Sequence, residues 1–208
     1  MKSLGSFATL FSGYQPVSKA QRGGGSIVQT LPAVGLRALR SDGEIDWSSL
    51  DQVQAPQHPK PEHCLRAWDV LIAARGSTAK LALLARDPEF PVYSSTNLIV
   101  LRTDPELADP AYLWAFLSHQ QQSPQNSYFT KATTDQWSIT VRDLAKIPVP
   151  LPPLAEQRRI AAAVTAVRDA GRQARAIADQ YDRLLSSLIA STNARLLTKL
   201  VADQQPQL

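Results

Sequence analysis

Four prolines within six residues divide this chain into parts that must fold differently. They lie between Pro148 and Pro153, and because proline fixes φ and lacks the backbone N–H, this stretch is predicted to be extended or polyproline II. After it, only Gly171 interrupts a sequence suited to one long helix, and Glu156 places negative charge at the helix N-terminus, where the helix dipole favours it. The sequence therefore predicts a folded domain at residues 1–145, a neck at 146–153, a helix at 154–201 and a disordered tail at 202–208.

The predicted helix carries a seam of apolar and small residues at alternating spacings of four and three. This seam consists of Ile160, Val164, Val167, Gly171, Ala174, Ala178, Tyr181, Leu185 and Leu188. A heptad spacing sustained over about four repeats is typical of a coiled coil, and the small residues in its middle allow a partner helix to approach closely. At 1.5 Å per residue, a helix from Leu154 to Val201 is about 70 Å long. We expect it to need a partner helix, since a domain of this size cannot cover the whole seam.

Three apolar runs in the first part of the chain predict a sheet. Residues 68–74 and 80–85 have the composition of buried strands and are joined by a predicted turn at 75–78. Residues 92–101 are predicted to form a third strand. Trp68 is expected to lie in the core.

Two helix starts are predicted in the same part of the chain. Asp109 and Pro110 are typical of an N-cap followed by the first helical residue, and Thr140 can cap a short helix that ends near Leu144. We expect Trp47 to fold back onto the core and Trp137 to belong to it. The predicted fold class is α+β, with a mixed α/β domain followed by a long C-terminal coiled-coil helix.

Composition narrows the classes of function. The net charge is +4 and the pI is 9.4, which favours an anionic partner, although a basic protein without such a partner is equally open on charge alone. A single cysteine, Cys64, excludes an internal disulfide and suits a reducing compartment. We expect neither a signal peptide nor contact with a membrane, because no apolar run has the required length. The expected location is cytoplasmic.

Residues that could carry catalysis or bind a metal are scattered. His58, His63 and His119 lack metal-ligand spacing with Cys64, and no serine, histidine and acidic residue form a recognisable nucleophilic set. We therefore predict no metal site and no catalytic residues. A binding or scaffold role is favoured over an enzyme.

The run from Ile147 to Ile160, IPVPLPPLAEQRRI, resembles the junction of type I restriction-modification specificity subunits. In that family a target recognition domain passes through a proline-rich strand into a long helix. The segments WDVLIAARGS at residues 68–77, SSTNL at 94–98 and QWSIT at 136–140 follow the order of the family. Family members usually carry two such domains and two helices, arranged antiparallel, whereas this chain has one of each.

The resemblance implies a half-length specificity subunit that recognises double-stranded DNA and forms a homodimer, or pairs with a second specificity half. It implies that DNA methyltransferase (modification) subunits and restriction/translocase subunits dock on the helices. S-adenosylmethionine, ATP and Mg are then expected on those partners, and no cofactor on this chain. A twofold dimer predicts an inverted-repeat, bipartite target with a nonspecific spacer, and about 70 Å of helix limits the site to roughly 20 base pairs.

Candidate DNA-binding residues are cations, amides and hydroxyls in predicted loops, since phosphates attract Lys and Arg and base edges need hydrogen-bonding groups. The phosphate candidates are Lys19, Arg22, Arg75, Lys80 and Lys131, and the base candidates are Ser77, Asn97, Thr134 and Gln136. An ordinary solvated surface residue is the alternative at each position. The alternative for the whole chain is a coiled-coil adaptor without its own DNA target; a small nuclease or methyltransferase would need a catalytic set that the sequence lacks.

Overall fold

The computed structural model describes residues 1–14, 29–55, 61–76, 80–122 and 137–203. The chain divides into two compact units, Met1–Thr165 and Ala166–Leu208. The first unit holds every described strand, and the second holds the remainder of the long helix. The predicted domain boundaries stay a prediction, because the division at Thr165 reflects packing and not function.

A four-stranded antiparallel sheet forms the centre of the first unit. Its strands, in spatial order, are β2 (Ala8–Ser12), β9 (Leu98–Thr103), β5 (Val70–Ala73) and β7 (Leu81–Leu83). Every residue of β5 is buried, which agrees with its unbroken run of apolar residues and its place between two neighbouring strands. Helix α1 (Pro110–Gln122) covers the sheet, with Leu113 and Leu117 fully buried.

A second sheet and two short strand pairs complete the first unit. The second sheet has the order β4 (Asp51–Ala55), β3 (Gln29–Val34) and β8 (Tyr93–Ser94), with β3 and β8 parallel. The pairs are β1 (Lys2–Ser3) with β11 (Pro148–Val149), and β6 (Arg75–Gly76) with β10 (Trp137–Ser138). Short 3-10 turns occur at Leu4–Ser6, Trp47–Ser49 and Pro61–His63.

Both predicted helix starts are confirmed. The Asp109 carboxylate accepts a hydrogen bond from the Tyr112 N–H at 2.9 Å ahead of α1. The Thr140 hydroxyl accepts one from the Asp143 N–H at 3.1 Å ahead of α2 (Val141–Ala145). Helix α3 (Leu154–Asp203) follows the prolines directly. The α+β fold class is confirmed. Across the described residues, no helix combines the length and apolar character that crossing a membrane requires.

Several local predictions were wrong. Arg75 and Gly76 form strand β6 and not a turn. Residues 92–101 contain two strands in different sheets, because the Leu98 N–H turns back to the Ser95 carbonyl at 3.0 Å.

The expected burial of two tryptophans was wrong as well. Trp47 is 39% exposed and Trp68 is 50% exposed. Trp68 has a φ of 70° just ahead of β5, a value that is uncommon for a residue other than glycine. This backbone turn carries the indole away from the core.

Candidate nucleic-acid interface

Four chain segments meet at one place in the first unit, which we call the junction: residues 12–14, 74–76, 94–98 and 137–139. The Gly13 N–H donates to the Leu98 carbonyl at 2.9 Å and the Tyr14 N–H to the Ser94 carbonyl at 2.7 Å. A side chain at Gly13 would collide with the Ser95 carbonyl, so only glycine allows this close approach.

The strand pair β6–β10 joins the other two segments. The Ala74 N–H donates to the Asn97 carbonyl at 2.8 Å, and the Ile139 N–H donates to the Ala74 carbonyl at 2.9 Å. Ala74 therefore connects the 94–98 segment to the strand pair. The junction is held by backbone hydrogen bonds, and of the residues in its tightest contact only Gly13 must lack a side chain.

Three described residues at the junction adjoin ranges that the structure does not describe. Tyr14 precedes residues 15–28, Gly76 precedes residues 77–79, and Trp137 follows residues 123–136. Gly76 and Trp137 are paired across β6 and β10, and Tyr14 forms a bridge with Ser95. Tyr14, Gly76 and Trp137 thus all lie at the junction.

An open groove of about 600 Å³ lies beside the junction. Its polar lining consists of Ser12, Arg75, Thr96, Thr140, Arg142 and Asp143, and apolar side chains including Ile99 and Ile139 complete it. Both arginines are exposed, and within the described ranges no hydrogen bond or ion pair engages either guanidinium. The Asp143 carboxylate is already engaged, since it accepts from the Thr140 hydroxyl at 2.6 Å and lies 3.8 Å from the Lys146 ammonium.

This combination of groups suits a phosphate backbone and its adjoining bases. The two exposed guanidinium groups provide donors in the fork geometry that binds phosphate oxygens. Hydroxyl groups on the same groove can donate to or accept from base edges.

Hydrogen bonds from two helices anchor the neck (residues 146–153). The Tyr112 hydroxyl on α1 donates to the Pro150 carbonyl at 2.7 Å, and burial raises the pKa of this phenol, so it stays protonated as a donor. The Gln157 side-chain amide on α3 donates to the Pro152 carbonyl at 2.9 Å, and its oxygen accepts from the Asp109 N–H at 3.0 Å. Gln157 is only 2% exposed. The neck is therefore held both by the stiffness of its prolines and by hydrogen bonds from α1 and α3.

The seam residues of α3 have two different environments. Ile160 and Val164, within the first unit, are partly buried and pack against its core. In the second unit, Val167 is 74% exposed and Leu188 is 64% exposed.

Comparison with known proteins identifies the chain. The model of the family described as Type I restriction modification DNA specificity domain matches residues 2–175. The chain belongs to this family.

Individual relatives of this specificity-domain chain agree. It is 33% identical over 125 residues to the protein provisionally named type I restriction enzyme MjaX specificity subunit, from Methanocaldococcus jannaschii, a match that covers 58% of this chain and 29% of that protein. The crystal structure of the HsdS subunit from Thermoanaerobacter tengcongensis superposes with a TM-score of 0.52 and 24% identity, over 99% of this chain and 50% of that one.

A structure titled for the complex assembly and conformational transition of the type I R-M system gives the same TM-score of 0.52 and 24% identity. At this identity the likeness of both solved structures shows the fold. The match covers 50% of each of these two solved chains and 29% of the curated relative. The chain therefore spans about half the length of those structures and less than a third of that relative.

Of the nine residues predicted to bind DNA, the structure of the specificity domain brings Arg75 and Asn97 together at the junction. The Lys80 ammonium instead donates to the Leu39 carbonyl at 2.8 Å. The remaining six lie outside the described residues: Lys19, Arg22, Ser77, Lys131, Thr134 and Gln136. DNA contact stays a prediction for all nine.

Sequence reasoning missed three residues of the specificity domain. Arg142 lies two residues after the cap residue Thr140, but nothing in its neighbourhood distinguishes it from other surface arginines. Tyr112 and Gln157 bond to carbonyls of the neck, and Gln157 also binds a backbone group 48 positions away. The only sequence signal for Gln157 is its place in the LAEQ motif that carries the family resemblance.

Two of the histidines considered for a metal site are accounted for as follows. His58 falls outside the described residues. His63 contacts the Phe11 ring edge-on at a centroid distance of 5.7 Å, and the neighbouring Cys64 thiol donates to the Tyr93 hydroxyl at 3.0 Å. In the part of the chain that the structure describes, no three His, Cys, Asp or Glu side chains group as metal ligands would.

Proposed function

We propose that this chain is the DNA specificity component of a type I restriction-modification system. The observation that carries the proposal is the family match over residues 2–175, which includes the junction, the neck and the start of the long helix. The chain itself is proposed to be non-catalytic. It recognises double-stranded DNA and positions the modification and restriction subunits, which bring S-adenosylmethionine, ATP and Mg.

The DNA surface in this proposal is the junction and its groove. Arg75 and Arg142 supply positive charge on one groove, and the net charge of the chain is +4. Asn97 lies in the 94–98 segment of the junction. Contacts of Arg75 and Arg142 with phosphates would position the domain, while residues bordering the junction would read bases.

The second part of the proposal is self-association through α3. Its exposed seam supports pairing with a second copy, and the family resemblance implies an antiparallel arrangement, which has twofold symmetry. Two domains related by a twofold axis read the same bases in opposite orientation. The proposed target is therefore a bipartite inverted repeat with a nonspecific spacer.

The test is selection of bound DNA from a random-sequence pool, with the modification subunit present. We expect inverted repeats separated by a spacer of fixed length. Asymmetric or uninterrupted sites would overturn the twofold arrangement. Binding without sequence preference, or no binding, would favour the coiled-coil adaptor, whose exposed helix needs no DNA.

A matched pair of variants tests the proposed surface in the same assay. Arg75→Ala combined with Arg142→Ala should weaken binding and lower the salt dependence by about two ion equivalents. Arg37→Ala is the control, because Arg37 is also exposed but pairs with Asp51 at 2.6 Å. An unchanged salt slope in the double variant would remove the groove from the proposal.

A further inference from the structure

The part of α3 in the second unit exposes a stripe of large apolar side chains. The stripe consists of Val167, Ile177, Tyr181, Leu184, Leu185, Leu188 and Ile189, each of which is 53% or more exposed. Exposed apolar residues at this density along one helix face are typical of a surface that a partner covers.

The last six residues of the seam change from small to large along the helix. Gly171, Ala174 and Ala178 are small, whereas the next three seam residues are Tyr181, Leu185 and Leu188. A parallel partner would set small residues against small and large against large, which leaves a void at one end and crowding at the other. An antiparallel copy of the same helix reverses the order and can set small against large.

One antiparallel register achieves this at three successive layers. It places Gly171 opposite Leu188 of the partner subunit, Ala174 opposite Leu185 of the partner subunit, and Ala178 opposite Tyr181 of the partner subunit. A twofold axis then passes midway between residues 179 and 180, and each layer occurs twice.

The flanking residues select the same register. Between the layers of Ala174 and Ala178, Arg175 faces Asp182 of the partner subunit, and Ile177 faces Leu184 of the partner subunit. A shift of one heptad in one direction sets Arg175 against its own copy, and a shift in the other direction does the same for Asp182. Like charges at flanking positions oppose both shifted registers.

We propose that α3 binds a second copy of this chain antiparallel in this register, with Ala174 packed on Leu185 of the partner subunit and Arg175 paired with Asp182 of the partner subunit. The inference rests on the proposed self-association and makes it specific at the level of residues. Size and charge complementarity of the helix with itself commit the stripe to a second copy rather than to an unrelated helix.

Disulfide cross-linking under mild oxidation tests the register, in a Cys64→Ser background whose hydroxyl keeps a donor for Tyr93. Ala174→Cys with Leu185→Cys should convert most of the chain to a covalent dimer, since these positions face each other and disulfides form only at short Cα separations. Within one helix the two cysteines are too far apart to react. Ala174→Cys alone should stay uncross-linked, because it meets its own copy only in a parallel pair.

Two further double variants report the shifted registers. Val167→Cys with Leu185→Cys cross-links only after a shift of one heptad, and Ala178→Cys with Leu188→Cys only after the opposite shift. A covalent dimer from either pair, or from Ala174→Cys alone, overturns the register. The register is also overturned if no pair reacts while sedimentation shows a dimer. In each of these outcomes the proposed self-association still stands. A chain that remains monomeric overturns both.

Charge exchange provides an independent readout by sedimentation. Arg175→Glu should weaken dimerisation about tenfold, because two ion pairs become two repulsions. Adding Asp182→Arg should restore the affinity to within about twofold of the original. Arg172→Glu, on the side of the helix away from the seam, is the matched control and should change little. Failure of the second substitution to rescue the first overturns the pairing of these two residues.

Discussion

The Arg102–Asp69 ion pair is buried inside the first unit. The guanidinium binds both carboxylate oxygens of Asp69 at 2.7 Å and donates to the carbonyls of Glu62 and Cys64 at 2.8 Å. It also lies 5.3 Å from the centre of the Phe11 ring. One side chain therefore connects β9 to the loop ahead of β5 and to β2.

Arg102→Met should lower the free energy of unfolding by about 3–5 kcal/mol, because it leaves the Asp69 carboxylate buried without a counter-charge. The control is Arg37→Ala, whose partner pair with Asp51 is 78% and 32% exposed, so the loss should stay below about 1 kcal/mol. Urea denaturation of both variants measures the difference. Equal losses would mean that Asp69 finds another way to be neutralised.

The raised pKa of the Tyr93 phenol predicts a loss of stability at alkaline pH. Burial and the Cys64 thiol raise the pKa of its phenol to about 12 from 10.0. The folded state therefore holds the proton more tightly than the unfolded state, so this contribution is complete below pH 10.0 and is lost as pH rises towards about 12. Tyr93→Phe should flatten the decline in unfolding free energy over that interval by about 1 kcal/mol per pH unit. Parallel curves for the two proteins would contradict this.

At the scale of elements, Gln157 joins α3 to the neck and to the start of α1. Gln157→Ala removes both side-chain hydrogen bonds and leaves the Asp109 N–H and the Pro152 carbonyl without these partners. We expect a loss of about 2–3 kcal/mol in thermal or urea unfolding. Arg159→Ala is the control on the same helical turn, since its pair with Glu156 is exposed and should contribute little to stability. A loss for Gln157→Ala no larger than that of the control would show that proline stiffness alone holds the neck.

Elements with local signals were predictable from the sequence. Each helix N-cap depends on a side chain that binds the N–H three positions later, and four consecutive apolar residues indicate β5. Pairing between distant segments was not predictable. Strand β8 is parallel to β3, some 60 positions earlier in the chain, and this partner separates it from β9.

The candidate site was predictable only in part, for the same reason. Arg75 lies at the junction because β6 pairs with β10, some 60 positions later in the chain, with Gly76 opposite Trp137 and Arg75 opposite Ser138. No periodicity in the sequence specifies that pairing. The groove beside it then brings Arg142 to Arg75, a proximity that only the folded chain creates.

At the scale of the whole molecule, the proposed register of the helix pair would set the distance between the two copies of the chain. With the twofold axis midway between residues 179 and 180, each Ala166 lies 13.5 residues from the axis. At 1.5 Å per residue the two Ala166 residues are about 40 Å apart along the helices. This corresponds to roughly 12 base pairs at 3.4 Å each, well below the limit of roughly 20 that the full helix length allows.

A spin label on Ala166→Cys, in the Cys64→Ser background, measures this distance by pulsed electron resonance. The expected distance is about 42 Å once the lateral offset of roughly 10 Å between packed helices is included. A shift of one heptad moves it by about 10 Å in either direction, and a parallel pair brings the labels to within roughly 20 Å. A single distribution near 42 Å therefore supports the antiparallel register, whereas a distribution displaced by about 10 Å would leave the dimer in place and change the spacer that it can measure.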